Sequence, residues 1–143
     1  AADGGGRRAR LALRLPLLRV GGAAWSLVFA MVFVPLAAAP AYVGLHFLVT
    51  LCLYDGMLSL VMLAHGSLLA DLATSSEERA TFNMYNSACS MLGSCSVLVA
   101  QLFWDVGDVG AFQAFCCSLA LLTFCAFQLA CAVLEAQHLP PAA

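Results

Sequence analysis

Asp55 stands halfway along an otherwise uncharged apolar stretch, and an acid in that position is the residue best able to do chemistry in this chain. An ionisable group near the middle of a bilayer costs at least ~2.5 to 3.5 kcal/mol on insertion scales, so its carboxylate must face protein or water rather than lipid. Steps of three and four residues place Cys52, Asp55, Ser59, Met62 and Gly66 on one helical stripe, small and polar on an otherwise oily helix. Two readings fit this stripe. Either it lines a cavity in which Asp55 binds a proton, a cation or a polar solute, or Asp55 is a buried acid bonded to a neighbouring helix. A second stripe, Asn83, Ser87, Ser90, Ser94 and Gln101 with Gly93 beside it, suits close packing of helices or the wall of a cavity. His46 and His65 lie near the two ends of the Asp55 helix, where an imidazole is solvated, hydrogen-bonded or part of a proton relay. Trp25, Tyr54, Tyr85 and Trp104 suit helix packing or an interfacial aromatic belt equally well. The seven cysteines show no CxxC spacing and all fall in apolar stretches, which makes them small packing residues and indicates neither a metal site nor a disulfide framework.

The elements that would position these residues follow from composition. Hydrophobic residues make up 63% of the chain and charged residues 10%, far from the balance of a soluble domain. A hydrocarbon layer about 30 Å thick needs about 20 largely apolar helical residues, and an open sheet would leave backbone groups unpaired in lipid. The expected fold is therefore an all-α membrane protein with about four transmembrane helices. Residues 20–36 form the first span, ending in a tight connection between Pro35 and Pro40, and residues 42–69 form the second, carrying Asp55. Residues 82–103 and 112–134 form the third and fourth. Around them lie an Arg-rich loop over 1–19, a polar loop over 70–81, a short loop over 104–111 with the acidic turn Asp105 to Asp108, and a tail over 135–143. The start, lacking a methionine and rich in Gly and Arg, reads as a loop of a longer chain. An Arg-rich, acid-poor start also suits a transit peptide, or a signal peptide cleaved near Ala37 to Ala39, although nothing like a soluble domain follows.

All six basic residues are arginines: five precede the first span and Arg79 lies in the 70–81 loop. Positive residues favour the cytoplasmic side, so both termini are expected there. A net charge of −2 without a basic patch argues against a nucleic-acid partner. In the 70–81 loop, Ser75 with Glu78, or Thr74 with Glu77, can form a capping box that starts the third helix. Asp71 and Arg79 are then able to pair with each other or with the Arg7 to Arg10 cluster, as a latch on one membrane face.

Asp3, Gly6, Arg7 and Arg8 resemble the second half of the signature loop of the major facilitator superfamily, with Gly4 where a basic residue is usual. The segment from Tyr54-Asp55-Gly56 through Leu60-Val61-Met62-Leu63 to Ser67-Leu68-Leu69-Ala70-Asp71-Leu72, followed by Glu78-Arg79, is similar to helix 4 and the next loop in the glycoside-pentoside-hexuronide:cation symporter branch. The resemblance implies that the four spans are helices 3 to 6 of a twelve-helix fold. It implies that the second and third spans face the solute pathway while the first and fourth support them. Members of that branch tend to carry an acid for the coupling cation near Met62; here Asp55, seven residues earlier on the same face, is the acid available.

The resemblance implies a fragment of a secondary transporter, symporter-like, acting on a sugar or other small solute and unable to transport alone. Asp55, Ser59, Met62, Asn83, Ser87 and Ser90 would form the cavity or cation site; Asp3, Gly6, Arg7, Arg8, Asp71, Glu78 and Arg79 would form the cytoplasmic signature loop and gate. The expected partners are the lipid bilayer, the remaining helices of a parent chain, a small solute and a coupling cation or proton. No cofactor is expected. The alternative is a non-transporting four-helix scaffold or assembly protein, though its usual outer loop with paired cysteines is lacking. An enzyme needs convergent acids, bases or metal ligands, and the sequence offers only scattered single residues.

Overall fold

Leu11, Leu15 and Leu18 recur at steps of four and three, which places them on one helical face in the segment expected to be a loop. In the computed structural model, which describes residues 4–34 and 40–138 apart from the side chains of 4, 5, 7, 8, 40 and 41, that face is buried. The first helix, α1, runs Gly4–Phe33 and continues through Pro16. The loop expected over 1–19 is therefore helical from Gly4 onward. Arg10, Arg14 and Arg19 do not break the helix, because their charged ends reach acids on neighbouring helices.

The other helices are α2 (Pro40–Leu72), α3 (Ser76–Leu102) and α4 (Gly110–His138). Each extends beyond the apolar run that announced it at one or both ends. Proline suits the first position of α2, where its missing N–H would have no helical partner. The expected 70–81 loop shrinks because Ser75 caps α3: its hydroxyl accepts from the Glu78 N–H at 3.1 Å, and the Glu78 carboxylate accepts in return from the Ser75 N–H at 3.2 Å. The Thr74 N–H and hydroxyl also donate to that carboxylate, each at 2.6 Å. Between α3 and α4, Asp105 and Asp108 accept from the Gly107 and Gly110 N–H groups at 2.8 and 2.9 Å, the local side-chain turns that acidic residues favour. The tail expected over 135–143 is helical through His138. The connection expected between Pro35 and Pro40 falls mostly on residues 35–39, outside the described residues.

The all-helical fold holds throughout the described residues. Segments Ala9–Phe33, Tyr42–Leu72 and Gly110–His138 are long and apolar enough to cross a membrane. Helix α3 falls short on apolarity, since it carries Glu77, Glu78, Arg79, Asn83, Asn86 and a series of serines.

Helix α1 is the hub, packed along its length against α2 on one side and α4 on the other. Leu11, Leu15 and Leu18 close against Val61, Ala64 and Leu68 of α2 and Cys131 of α4. Gly22 lets α1 and α4 approach closely; a Cβ there would lie 2.6 Å from Cγ of Phe127. The last carbonyls of α1 lack partners within their own helix, and lipid offers none. His46 of α2 donates from Nε2 to the Met31 carbonyl at 3.0 Å, and Gln113 of α4 donates to that of Phe33 at 3.0 Å. Helix α3 touches α2 and α4 only sparsely, and none of its residues is buried.

Candidate functional site

Two faces of α2 divide the site from the core. Thr50, Val61, Ala64 and Leu68 are buried, the last three against α1, while Cys52, Asp55, Ser59, Met62 and Gly66 are all exposed. The expected stripe thus points away from the packed helices. No hydrogen bond or ion pair among the described residues engages the Asp55 carboxylate, and the Ser59 hydroxyl donates to the Asp55 main-chain carbonyl at 2.9 Å. Asp55 is therefore not an acid bonded to a neighbouring helix within this bundle. An unengaged carboxylate in the middle of an apolar helix is stable only against water, a cation or further protein.

The stripe on α3 is also exposed at Asn83, Ser87 and Ser90. The Ser94 hydroxyl bonds back to the Ser90 carbonyl at 3.0 Å, the usual way a serine satisfies itself on a helix. A cleft of about 330 Å³ between α2 and α3 brings together Met62, His65, Arg79, Asn83 and Asn86. Three of the expected site residues, Met62, Asn83 and Arg79, meet there. Asp55, Ser59, Ser87 and Ser90 do not line it.

The charged end of the bundle forms one of the pairings expected of the latch, Asp71 with Arg10, and adds Arg14 to it. Asp71, at the end of α2, pairs with Arg14 and, at 3.6 Å, with Arg10, both from α1. Arg14 also donates to the Ser67 carbonyl at 2.6 Å. The pairing of Asp71 with Arg79 is not the one formed, because the helical extension of α1 carries Arg10 and Arg14, one turn apart, to the end of α2. Arg79 turns to the α2–α3 cleft instead. Gly6 is exposed at the start of α1, not in a loop, with open space around its Cβ position. Asp3 and the side chains of Arg7 and Arg8 lie outside the described residues. Glu78 is committed to the α3 cap.

Sequence reasoning missed a second polar clamp. Arg19 of α1 donates from Nε to Gln128 Oε1 at 3.0 Å and pairs with Glu135 at 3.2 Å, while the Gln128 amide donates back to the Arg19 carbonyl at 3.3 Å. A signal was present: Gln128 and Glu135 are seven residues apart, hence on one face of α4, and Arg19 was counted only as a loop charge. Also missed was an aromatic-walled cavity at the opposite end of α1, around Trp25, Phe29 and Tyr54. The only hint there was the spacing of Trp25, Phe29 and Phe33, which ordinary core packing produces as well.

The MFS/sugar transport protein family matches residues 6–141, nearly the whole chain. Transmembrane protein 180 of Mus musculus is 47% identical over 109 residues, covering 73% of this chain and 20% of the mouse protein. Transmembrane protein 180 of Gallus gallus is 40% identical over 108 residues, covering 76% of this chain and 21% of its own length. The chain thus spans about a fifth of these relatives. No solved structure matches. With long apolar helices, an acid in mid-span and a family match across almost all its residues, this integral membrane protein belongs to the MFS/sugar transport protein family.

Proposed function

We propose that these helices form part of a secondary transporter that moves a small polar solute, sugar-like in class, together with a proton or cation held at Asp55. The observation that carries this reading is the Asp55 carboxylate itself, exposed at mid-helix on the side of α2 that faces away from α1, with no hydrogen-bond or ion-pair partner among the described residues. Water or a mobile cation in a pathway would stabilise it; lipid would not. The exposed polar stripe of α3 supports the same reading, since Asn83, Ser87 and Ser90 offer donors and acceptors on a surface that hydrocarbon would penalise. The matched stretch is only about a fifth of each relative, and their further helices would supply the opposite wall of the pathway, with substrate bound between two halves.

In this reading both ends of the four-helix segment face the cytoplasm. The Arg14–Asp71 and Arg10–Asp71 pairs hold α1 to α2 at that face while the α2–α3 side opens and closes. The chemistry is binding and release, with no covalent step. The test is uptake of radiolabelled mono- and disaccharides by proteoliposomes carrying the longer protein, with and without a sodium or proton gradient. Gradient-driven uptake that loses its gradient dependence in Asp55→Asn is the expected result. Uptake with unchanged coupling in Asp55→Asn would overturn the role of Asp55, and no uptake by the wild-type protein would favour a non-transporting scaffold.

A further inference from the structure

Arg79, Asn83 and Asn86 recur at steps of four and three, which puts them on one face of α3. That face meets His65 of α2 across the cleft of about 330 Å³, which reaches from Ala73, just past the end of α2, to Met62, about three turns inside. The volume lies at the lower end of the range for small-molecule sites. Leu69 and Phe82, both partly buried, supply apolar walls, and Gly66 leaves room on the α2 side.

The charge balance of this cleft is one-sided. Arg10, Arg14 and Arg19 are each paired with an acid on another helix, whereas no hydrogen bond or ion pair among the described residues engages the Arg79 guanidinium. The side chains of His65, Asn83 and Asn86 likewise have no hydrogen-bond partner among the described residues. No acid lines the cleft: Asp71 is taken by Arg10 and Arg14, Glu78 caps α3, and Glu77 lies outside the lining. The guanidinium presents a planar fork of donors, each Asn amide adds an NH₂ group, and the imidazole adds an N–H. A neutral sugar would leave the positive charge uncompensated, and a carboxylate has only two oxygens for this many donors. A phosphate group offers at least three strong acceptor oxygens, and a guanidinium binds two of them side by side.

We propose that the α2–α3 cleft binds a phosphate group, carried by a phospholipid headgroup or by a soluble phosphate, with Arg79 gripping two of its oxygens and Asn83 and His65 donating to the others. Asn86, one turn deeper, completes the donor set. Basic pockets between membrane helices hold lipid headgroups by this chemistry. A phosphate bound there links α3, which has no buried side chain, to α2. The site does not include Asp55, Ser59, Ser87 or Ser90, and the proposal does not depend on transport.

The test is the thermal unfolding of the protein in detergent micelles with added phosphatidic acid, diacylglycerol of the same acyl chains, or inorganic phosphate. Phosphatidic acid is expected to raise Tm by about 3 °C over diacylglycerol, since a ligand that binds only the folded state stabilises it. The rise should vanish in Arg79→Gln, which removes the charge. It should vanish too in Gly66→Leu, which fills the cleft from a position with open space around its Cβ and leaves every charge in place. A matching rise with inorganic phosphate, lost in the same two variants, identifies soluble phosphate as a sufficient ligand, and a rise confined to phosphatidic acid identifies the lipid. The same Tm with all three additions in the wild-type protein, or a rise that persists in either variant, would overturn the proposal.

Discussion

Helices α1 and α3 are of similar length, 30 and 27 residues, and are held in opposite ways. Helix α1 carries most of the arginines, yet it is the element around which the bundle closes: Leu11, Leu15 and Leu18 are buried, and Arg10, Arg14 and Arg19 reach acids on α2 and α4. Helix α3 has a well-formed cap and no buried side chain. Charge by itself does not keep a helix out of a membrane bundle when each charge meets its opposite on a neighbour. A row of uncharged polar groups with nothing facing it leaves a helix at the margin. The exposed polar face of α3 and the exposed Asp55 face of α2 are the two surfaces of this unit that further structure or water must satisfy.

The sharpest way to break this contrast is Leu15→Ala, at a side chain with no exposure. Removing it should lower stability by about 3 kcal/mol, seen as an earlier transition in a denaturant titration of the protein in detergent micelles. Arg14→Ala should have an intermediate effect, about 1.5 kcal/mol in the same titration, because Arg10 remains 3.6 Å from Asp71 to share the exposed charge. Leu92→Ala, on α3 and 68% exposed, should change stability by less than about 0.5 kcal/mol. An effect at Leu92 equal to that at Leu15 would mean that α3 is packed as tightly as α1 and that the contrast is false.

Much of the fold was legible because long uncharged runs leave few alternatives to helix in a membrane, and the Ser75–Glu78 cap was readable from four residues. The start of α1 was not read correctly, because arginines were weighed as loop residues and the Leu11, Leu15, Leu18 period was overlooked. The partners of Asp71 depend on that same helix: the Arg7 to Arg10 cluster was a correct candidate through Arg10, but Arg14, one turn further along α1, was not considered. Helical spacing did identify the Asp55, Ser59, Met62 stripe, which shares one exposed face of α2. It could not show that Asp55 lies outside the cleft where Met62, Asn83 and Arg79 meet, since that depends on how α3 leans against α2. The aromatic cavity was equally beyond reach, because its walls come from different helices and form only once these pack together.

The central claim is that the Asp55 face of α2 meets water in the membrane, whereas the outer face of α4 meets lipid. Labelling with a polar maleimide tests it most directly, in a background where the five exposed cysteines are replaced by serine and the buried Cys116 and Cys131 are kept. A cysteine introduced at Ser59, one turn from Asp55, should react readily, while one at Leu121, exposed on α4, should react at least tenfold more slowly. Equal and slow labelling at both positions would place the Asp55 face in lipid or against closed protein and contradict the account.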